Sequence, residues 1–344
     1  MRSVLAGVLV LACLAHASAR TGPVCQGRYV LDTGRFTAES SDAIEIEGRT
    51  VTIPGLCEAT QARFVRRRGR LRVRARWPVC VDGLRRVRVR ATIDTATCKT
   101  MNGSLDARTP ILKTPFSATR AVRLLVFTRT EAFRHQSIAD AVRVLGGLPV
   151  GERITVSFTE EATVFTNAFL AGFDVVAFVN TTGDVLDPPE QAALERFVRG
   201  GRGFVGVHAA ADTEHDWPWY GRLVGAFFTS HPALPVEVTT TTESASHAST
   251  AHLPPTFQFT DEIYNFDRNP RADNTILLTI DEAGFIYPNV PPTPSMGADH
   301  PVAWCKEYEG GRSFYTNFGH RPETWDDPRF QRHLIAAIHW AAFR

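Results

Sequence analysis

The sequence predicts an α/β fold, a parallel sheet with helices on both faces, preceded by a small antiparallel β domain. After residue 121, strands alternate with helices, and strands such as Val122–Phe127 are apolar almost throughout. Continuously apolar strands are typical of a parallel sheet that is buried on both faces. Before residue 102, polar and apolar residues alternate along short segments separated by Gly and Pro. That period of two indicates an antiparallel sandwich or barrel.

The composition is that of a globular protein with two domains. The chain has 344 residues, of which 44% are hydrophobic and 22% are charged. This length exceeds what a single hydrophobic core usually serves. Neither disorder nor a fibre fits these proportions. The formal net charge of +2 is too small to favour nucleic acid as a partner.

The N-terminus has the features of an export signal. Arg2 precedes an apolar run over residues 4–15, and Ala17-Ser18-Ala19 places small residues before a cleavage point. We therefore predict a signal peptide over residues 1–19 and a secreted or periplasmic protein. No later segment has the ~18 uninterrupted apolar residues of a spanning helix, so no membrane span is expected.

Cysteine usage agrees with export. Cys25, Cys57, Cys80 and Cys98 fall in the small β domain, which is predicted over residues 25–102. Two disulfides would stabilise so modest a core in an oxidising compartment, whereas the alternative is four reduced core thiols. Four cysteines allow three connectivities, and the sequence does not choose among them.

The same domain is rich in arginine. Along residues 70–77 and 86–90, arginine alternates with apolar residues, which places the two kinds of side chain on opposite sheet faces. We favour a solvated face, because like charges along strands oppose edge pairing. The alternative is a surface that docks on phosphate-rich polymers or on an anionic envelope.

Between the two domains the periodicity stops, and Pro110 and Pro115 accompany polar residues. We predict a linker over residues 103–120 and the α/β domain over residues 121–344. The predicted strands of that domain are residues 122–127, 154–158, 173–179, 203–207, 276–280, 302–305 and 312–318, and its helices are residues 137–145, 188–199 and 329–343.

Residues 203–212 are the most informative part of the α/β domain. An apolar strand ends at one imidazole, His208, and alanines that can begin a helix follow it. An open α/β sheet presents a reactive side chain above the end of a central strand in this way. His208 is therefore a candidate general acid, general base or metal ligand. Asp212 follows as a candidate catalytic carboxylate.

Two further candidate catalytic residues come from distant segments. His320 follows the last core strand, and Glu262 lies just before an aromatic residue and an amide. Because histidine and carboxylate ligands suit zinc or a similar divalent ion, His208, His320 and Glu262 are also candidate metal ligands. No closely spaced His-Glu-x-x-His motif occurs, so the metal remains one hypothesis among others.

A larger set of residues is predicted to bind substrate. Hydroxyls and amides suit hydrogen bonds to a polyol, although a capped turn explains some of them equally well. Aromatic rings beside polar groups are the usual lining of a sugar site. The predicted substrate-binding residues are His135, Asn180, Thr181, Thr182, Asp184, Trp217, Trp219, Tyr220, His231 and Tyr264.

Ordered motifs of the α/β domain carry a family resemblance. They are Phe133-Arg134-His135, residues 178–184 and 204–212, Trp217-Pro218-Trp219-Tyr220, Ser230-His231-Pro232, Asp261-Glu262-Ile263-Tyr264, residues 300–305 and Gly319-His320. With these motifs, residues 121–343 resemble the ThuA-like (trehalose utilisation) family, which has a flavodoxin-like, class I glutamine amidotransferase-like fold. The N-terminal part resembles small cysteine-bearing β modules of secreted bacterial proteins.

The resemblance implies a carbohydrate-processing protein that acts on a disaccharide or a keto-glycoside. Acid/base chemistry, with or without a metal, would drive hydrolysis, elimination or isomerisation, and a sugar dehydrogenase would supply the keto-glycoside. The amidotransferase fold normally carries a nucleophilic cysteine at the elbow, where this chain has His208. No glutamyl thioester can then form, so glutamine hydrolysis is excluded. The alternative is a non-catalytic sugar-binding module of the cell envelope.

Overall fold

The computed structural model describes residues 25–33, 36, 42–81, 83–282 and 296–343. The chain divides into two compact units, with the boundary between Ala118 and Thr119. The predicted signal peptide lies outside the described residues. Among the described residues, no helix combines the length and the apolar character needed to cross a membrane.

The first unit is a single nine-stranded sheet. Its strands are β1 (Gly27–Thr33), β2 (Ala43–Glu47), β3 (Thr50–Ile53), β4 (Cys57–Gln61), β5 (Arg63–Arg67), β6 (Arg70–Val79), β7 (Arg85–Asp94), β8 (Thr100–Ala107) and β9 (Leu112–Arg120). They lie in the order β4-β3-β2-β1-β9-β8-β7-β6-β5. Pairs from β1 to β4 and from β5 to β8 are antiparallel, as the period-two pattern predicts.

The sheet of the first unit curls around its own core. Trp77 Nε1 donates to the carbonyl oxygen of Glu58 at 2.5 Å, and Thr60 Oγ1 donates to that of Arg76 at 3.1 Å. These bonds bring β4 against β6, although the two strands lie far apart in the sheet order. The apolar residues of β6 and β7 therefore face inward, and the alternating arginines face solvent.

Two disulfides join the four cysteines of this unit. Cys25 pairs with Cys98, and Cys57 pairs with Cys80. The predicted disulfide-bonded module is thus confirmed, and the structure selects one of the three connectivities that the sequence left open.

Most of the predicted linker, residues 103–120, lies in strands β8 and β9, so the sheet of the first unit continues through this segment. Leu105, Ala107, Phe116 and Ala118 are buried in the core of the first unit. Their alternation with exposed residues is a strand pattern, which polar residues and prolines obscure in the sequence.

The second unit contains eleven strands and six helices among its described residues. They are β10 (Val122–Phe127), α1 (Ile138–Gly146), β11 (Ile154–Thr159), α2 (Asn167–Leu170), β12 (Val175–Val179), α3 (Pro188–Arg199), β13 (Gly203–Val207), α4 (Pro218–Val224), β14 (Phe228–Ser230), β15 (Val236–Thr242), β16 (Thr256–Asp261), β17 (Asn265–Phe266), β18 (Thr275–Ile280), β19 (His300–Tyr308), β20 (Gly311–Thr316), α5 (Pro322–Asp326) and α6 (Pro328–Ala342).

The main sheet of this unit is mixed, in the order β11-β10-β12-β13-β20-β19-β18-β15-β16. The first five strands are parallel, as predicted, whereas the last four pair antiparallel. The prediction of a parallel sheet is therefore correct for the first five strands of the main sheet and wrong for the last four. Helices cover both faces, since α1 and α6 pack in one hydrophobic core and α3 and α4 in the other.

Local sequence explains why the helices begin and end where they do. Proline occupies the first turn of α3, where its missing N–H costs nothing, and Glu190 lies in the same turn. Arg196 and Arg199 lie in the last turn, so charges of both signs complement the helix dipole.

The fully buried strands β12 and β13 end level with each other, and polar side chains follow both.

We expect the two disulfides to contribute unequally to stability. The pairs are separated by 73 and 23 residues in sequence, and a longer closed loop restricts the unfolded chain more. Cys25→Ser/Cys98→Ser should lower the free energy of unfolding of the first unit by about 1 kcal/mol more than Cys57→Ser/Cys80→Ser. Hydrogen exchange of peptides from this unit, at increasing urea, measures the difference. A larger loss from the shorter loop would contradict the expectation.

Candidate functional site

His208 occupies the sharp turn that follows β13. Its backbone lies in the left-handed region, with φ of 50°, which costs a non-glycine residue about 1–3 kcal/mol. The hydroxyl of Tyr315 donates to the His208 carbonyl oxygen at 2.8 Å. A Cβ at Gly206 would lie 3.1 Å from the ring of Tyr315, so glycine provides the space for this packing. The structure therefore places His208 at the elbow that the sequence predicts.

Three side chains from other segments converge on His208. His135 follows β10, Glu262 follows β16, and His320 follows β20. Glu262 Oε2 lies 3.3 Å from His208 Nε2 and 3.1 Å from His320 Nδ1. One potential ligand atom from each of His135, His208, Glu262 and His320 lies within 4.8 Å of the others. We call these four residues the imidazole–carboxylate cluster.

One nitrogen of each imidazole in the cluster is buried without a hydrogen bond. Within the described part of the chain, these atoms are His135 Nδ1, His208 Nε2 and His320 Nδ1. The His208 and His320 nitrogens approach Glu262 at 3.3 and 3.1 Å, but without hydrogen-bond alignment. Buried polar atoms in native proteins are almost always satisfied by protein, water or a ligand. Three unbonded nitrogens in one cluster therefore indicate a place for an electron-pair acceptor.

Asn317 links the two sides of the cluster. Its backbone oxygen lies 2.7 Å from His208 Nδ1, and because a carbonyl can only accept, this nitrogen carries the proton. In the neutral form of the imidazole, the lone pair would then be on His208 Nε2, which lies 3.3 Å from Glu262 Oε2. The Asn317 side chain donates to the Glu262 carbonyl oxygen at 2.7 Å and accepts from the Tyr264 amide at 2.8 Å.

Asp261 holds the segments of Glu262 and His320 together. Its carboxylate accepts from the backbone amides of Glu262 (3.0 Å), Gly319 (2.7 Å) and Arg321 (3.1 Å). The hydroxyl of Thr324 donates to it at 3.0 Å. These four bonds span the residues on both sides of His320, and the Asp261 side chain is fully buried.

Burial and mutual proximity set the protonation of the cluster. Burial, and then the imidazoles of His208 and His320, lower the pKa of His135 to about 3. Burial raises the pKa of Glu262, but the same two imidazoles outweigh it, and the net pKa is lowered. For His320 the balance is reversed, since burial lowers the pKa and Glu262 raises it above its usual value. A neutral His135 beside an ionised Glu262 is the donor chemistry that a divalent metal requires.

The cluster fits a divalent transition metal. Three imidazoles and one carboxylate are ligands that zinc and similar ions accept, and the bond from His208 Nδ1 to a backbone carbonyl is the support that metal-bound histidines usually have. His208, His320 and Glu262 were predicted as ligands. His135 was predicted to bind substrate, and the structure brings it into the same cluster.

Asn180 is buried behind the cluster. Its side-chain nitrogen donates to Ser137 Oγ at 3.0 Å and to the Gly319 carbonyl oxygen at 3.2 Å. The second bond supports the residue that precedes His320. Asn180 Oδ1 has no partner among the described residues, so one acceptor of this predicted substrate-binding residue is unused.

The threonines that follow Asn180 bond to the protein itself. The hydroxyls of Thr181 and Thr213 lie 2.8 Å apart, and Thr182 Oγ1 donates to the Phe133 carbonyl oxygen at 2.8 Å. Both Thr181 and Thr182 are fully buried, whereas Asp184 is exposed. Thr182 thus supports the loop that carries His135, and Thr181 bonds to the segment that follows β13.

The predicted aromatic platform needs correction. Tyr220 is fully buried with its hydroxyl bonded to the Ala210 carbonyl oxygen, and Trp219 is 4% exposed with Nε1 bonded to Glu309. Both rings pack in the hydrophobic core beneath α4, so neither has a free face for a sugar. Trp217 is half-buried and stacks on Trp219 at 5.1 Å between ring centroids.

Other aromatic rings lie beside the cluster. Tyr264 is buried, and its ring centroid is 4.2 Å from that of His208. Phe133 is 64% exposed, and its centroid is 4.8 Å from that of His135. An exposed aromatic ring is a platform for sugar C–H bonds. Phe133, which the sequence analysis treats only as part of a motif, therefore presents an exposed ring beside the cluster.

His231 and Asp212 lie outside the four-residue cluster. His231 Nδ1 is 3.2 Å from Glu262 Oε1, and its side chain is 37% exposed. Asp212 Oδ1 lies 3.0 Å from the ring of His215 and forms no ion pair with His208. Orientation of the His208 imidazole therefore falls to the backbone oxygen of Asn317, and the carboxylate of Asp212 pairs with His215 instead.

The fold and the site define an α/β domain with a histidine- and carboxylate-lined centre beyond the strand ends. A family model described as "Trehalose utilisation", ThuA, matches residues 123–341. The chain belongs to this family.

Solved structures support the fold. A ThuA-like protein from Bacteroides uniformis has 24% identity and a TM-score of 0.55, with 64% of this chain and 91% of that chain covered. A ThuA-like protein from Parabacteroides merdae has 20% identity and a TM-score of 0.53, with 65% and 90% covered. No curated protein matches the sequence.

Sequence reasoning missed Asn317 and underrated Asp261 as positioning residues. The one signal is their position, since Asp261 ends β16 and Asn317 directly follows β20. Buried polar residues at such positions need partners, but the sequence does not reveal that those partners include backbone groups of the segments carrying Glu262 and His320.

We expect Asp261→Asn to weaken both the fold and the cluster. Every partner of Asp261 is a donor, so an amide nitrogen would face N–H or O–H groups and leave them unsatisfied. The free energy of unfolding should fall by about 3 kcal/mol, as urea titration would measure. Asp216→Asn, at an exposed position, is the matched control and should be neutral. An equally small loss in both variants would show that Asp261 is not a clamp.

Proposed function

We propose that the second unit binds a divalent metal, zinc or a similar ion, through the imidazole–carboxylate cluster and transforms a small carbohydrate there. One observation carries this proposal: a potential ligand atom from each of three imidazoles and the Glu262 carboxylate lies within 4.8 Å of the others, and each of these imidazoles has a buried nitrogen without a hydrogen bond among the described residues. The family's carbohydrate-related role supports a sugar as the substrate.

A metal in this cluster would supply a Lewis acid for a carbonyl or hydroxyl oxygen of the sugar. His208 and His320 then act as ligands and not as proton carriers. The bond from His208 Nδ1 to the Asn317 carbonyl oxygen supports this division, because it orients the ring so that Nε2 is the nitrogen available to a metal.

Proton transfer falls to His231 in this proposal. Its imidazole is partly open to solvent and lies against Glu262, so it can exchange a proton between the sugar and bulk water. Asp212 and His215 form a second, more exposed pair of an acid and a base. Phe133 would cover the apolar face of the sugar ring beside His135.

A keto-glycoside suits this arrangement best. A ketone acidifies the neighbouring C–H bond, so one base and one electrophile near the carbonyl oxygen are enough for elimination or isomerisation. Direct hydrolysis of a disaccharide commonly needs two carboxyl groups flanking the bond, and the cluster contains one. A sugar dehydrogenase is the class of partner that would supply such a ketone.

We also propose that the protein works outside the cytoplasm. The two disulfides of the first unit support export, because such bonds persist in oxidising compartments. The sequence of residues 1–19 supports the same location.

We expect the purified protein to carry about one divalent metal ion per chain. His208→Ala and Glu262→Gln should each lower occupancy at least tenfold, since loss of a ligand weakens a site at least as much as the 10–100-fold cost of losing a supporting bond. Elemental analysis after dialysis measures the occupancy. His215→Ala, an exposed imidazole outside the cluster, should retain the metal. Equal occupancy in all variants would remove the cluster as the binding site.

Turnover should depend on His231 without a loss of metal. His231→Gln is expected to lower kcat on 3-keto disaccharides by about 10²–10⁴-fold, the usual contribution of a positioned acid or base. His252→Gln is the control, because that imidazole bonds to the Arg329 carbonyl oxygen away from the cluster. Product analysis with native and 3-keto disaccharides measures both. A wild-type protein that binds these sugars without converting them would instead support the sugar-binding module.

A further inference from the structure

A row of arginines crosses three adjacent strands of the first unit. Arg63 of β5 lies opposite Arg74 of β6, and Arg74 lies opposite Arg90 of β7. Side chains that face each other in this way have Cβ atoms about 4.5–5.5 Å apart, and like charges at that separation are destabilising. We call Arg63, Arg74 and Arg90 the arginine row.

More guanidinium groups flank the row. Arg76 lies opposite Arg88, and Arg74, Arg76, Arg88 and Arg90 surround a shallow depression of about 230 Å³. Arg88 is half-buried and also faces Asp106 on β8, whereas the other three are exposed. The row and its neighbours thus form a positively charged surface with a concave centre.

No described carboxylate neutralises the row. The ion pairs found among the described residues of this unit join Arg28 to Asp42 and to Glu45. A surface that serves solubility alone usually intersperses both signs of charge. A run of one sign produces a field that attracts oppositely charged ligands, so the cross-strand register, which places arginine opposite arginine, supports a binding surface.

We propose that the arginine row binds an acidic polysaccharide, a chain with carboxylate or sulfate groups on successive sugar rings. Each guanidinium offers a planar fork of donors that matches such groups two bonds at a time. The row extends in one direction across the strands, as a polymer chain does.

The curvature of the sheet favours a polymer over a membrane. Because the sheet curls around its core, the arginines lie on its convex side. A flat bilayer would meet only part of such a face, whereas a flexible chain can follow it. The choice of a polysaccharide over other polyanions rests on the carbohydrate-related role of the family, but the surface is independent of the metal cluster.

The test uses the full chain with immobilised polygalacturonate as the probe. Arg63→Ser/Arg74→Ser/Arg90→Ser should weaken binding by about tenfold or more, since three charge-assisted contacts are lost. The matched control, Arg49→Ser/Arg108→Ser/Lys113→Ser, removes the same charge from exposed positions outside the row and should bind nearly as the wild type does. Wild-type binding should also weaken steeply with added salt.

Three outcomes would overturn the proposal. An equal loss of polygalacturonate binding in the two triple variants would show that net charge alone attracts the polymer. Equal binding of the wild type to neutral dextran would show that the interaction does not depend on charge. Tighter binding to anionic phospholipid vesicles or duplex DNA than to polygalacturonate would identify a different occupant. Glu262→Gln should bind the polymer as the wild type does, so a failure of the metal proposal is distinguishable from a failure of this one.

Discussion

The buried carboxylate of Asp261 is the interaction on which the candidate site depends. Four donors surround it, and they come from both the segment after β16 and the segment after β20. A buried charge is tolerated only when its hydrogen-bonding capacity is met, so the two segments cannot separate without a large cost. Glu262 and His320 are neighbours of these donors. The distance of 3.1 Å between Glu262 Oε2 and His320 Nδ1 therefore follows from the hydrogen bonds that Asp261 accepts.

The cluster is arranged in the opposite way. Asp261 has every partner it needs, whereas three imidazole nitrogens beside Glu262 have none. Unsatisfied buried nitrogens cost free energy in the absence of a ligand, and the left-handed backbone of His208 adds strain. A rigid, fully bonded support thus holds an under-bonded centre. A well-bonded support around an unsatisfied centre is the usual form of a preorganised site. Folding stabilises the strained arrangement, and a bound ligand then supplies the missing interactions.

Most of the parallel half of the fold, and the position of His208, follow from the sequence, because apolar runs and glycine at a strand end act locally. The antiparallel half does not follow, since β15 is rich in threonine and its pairing depends on distant strands. Glu262 was recognised by residue type, but its approach to His208 results from long-range bonds through Asn317. Tyr220 was misjudged because hydropathy does not distinguish a ring that lines a cleft from a ring that fills a core.

The elbow position shows how a conserved geometry can support different chemistry within one fold. A thiol there would permit acyl transfer, but His208 offers a lone pair and no leaving-group chemistry. The free cysteine of the described residues, Cys305, cannot substitute: it is buried, and burial raises its pKa to about 12. A thiol that stays protonated is neither a nucleophile nor a metal ligand. The proposed chemistry therefore relies on imidazole and carboxylate groups, and three imidazoles meet one carboxylate where Asp261 and Asn317 hold the segments of Glu262 and His320.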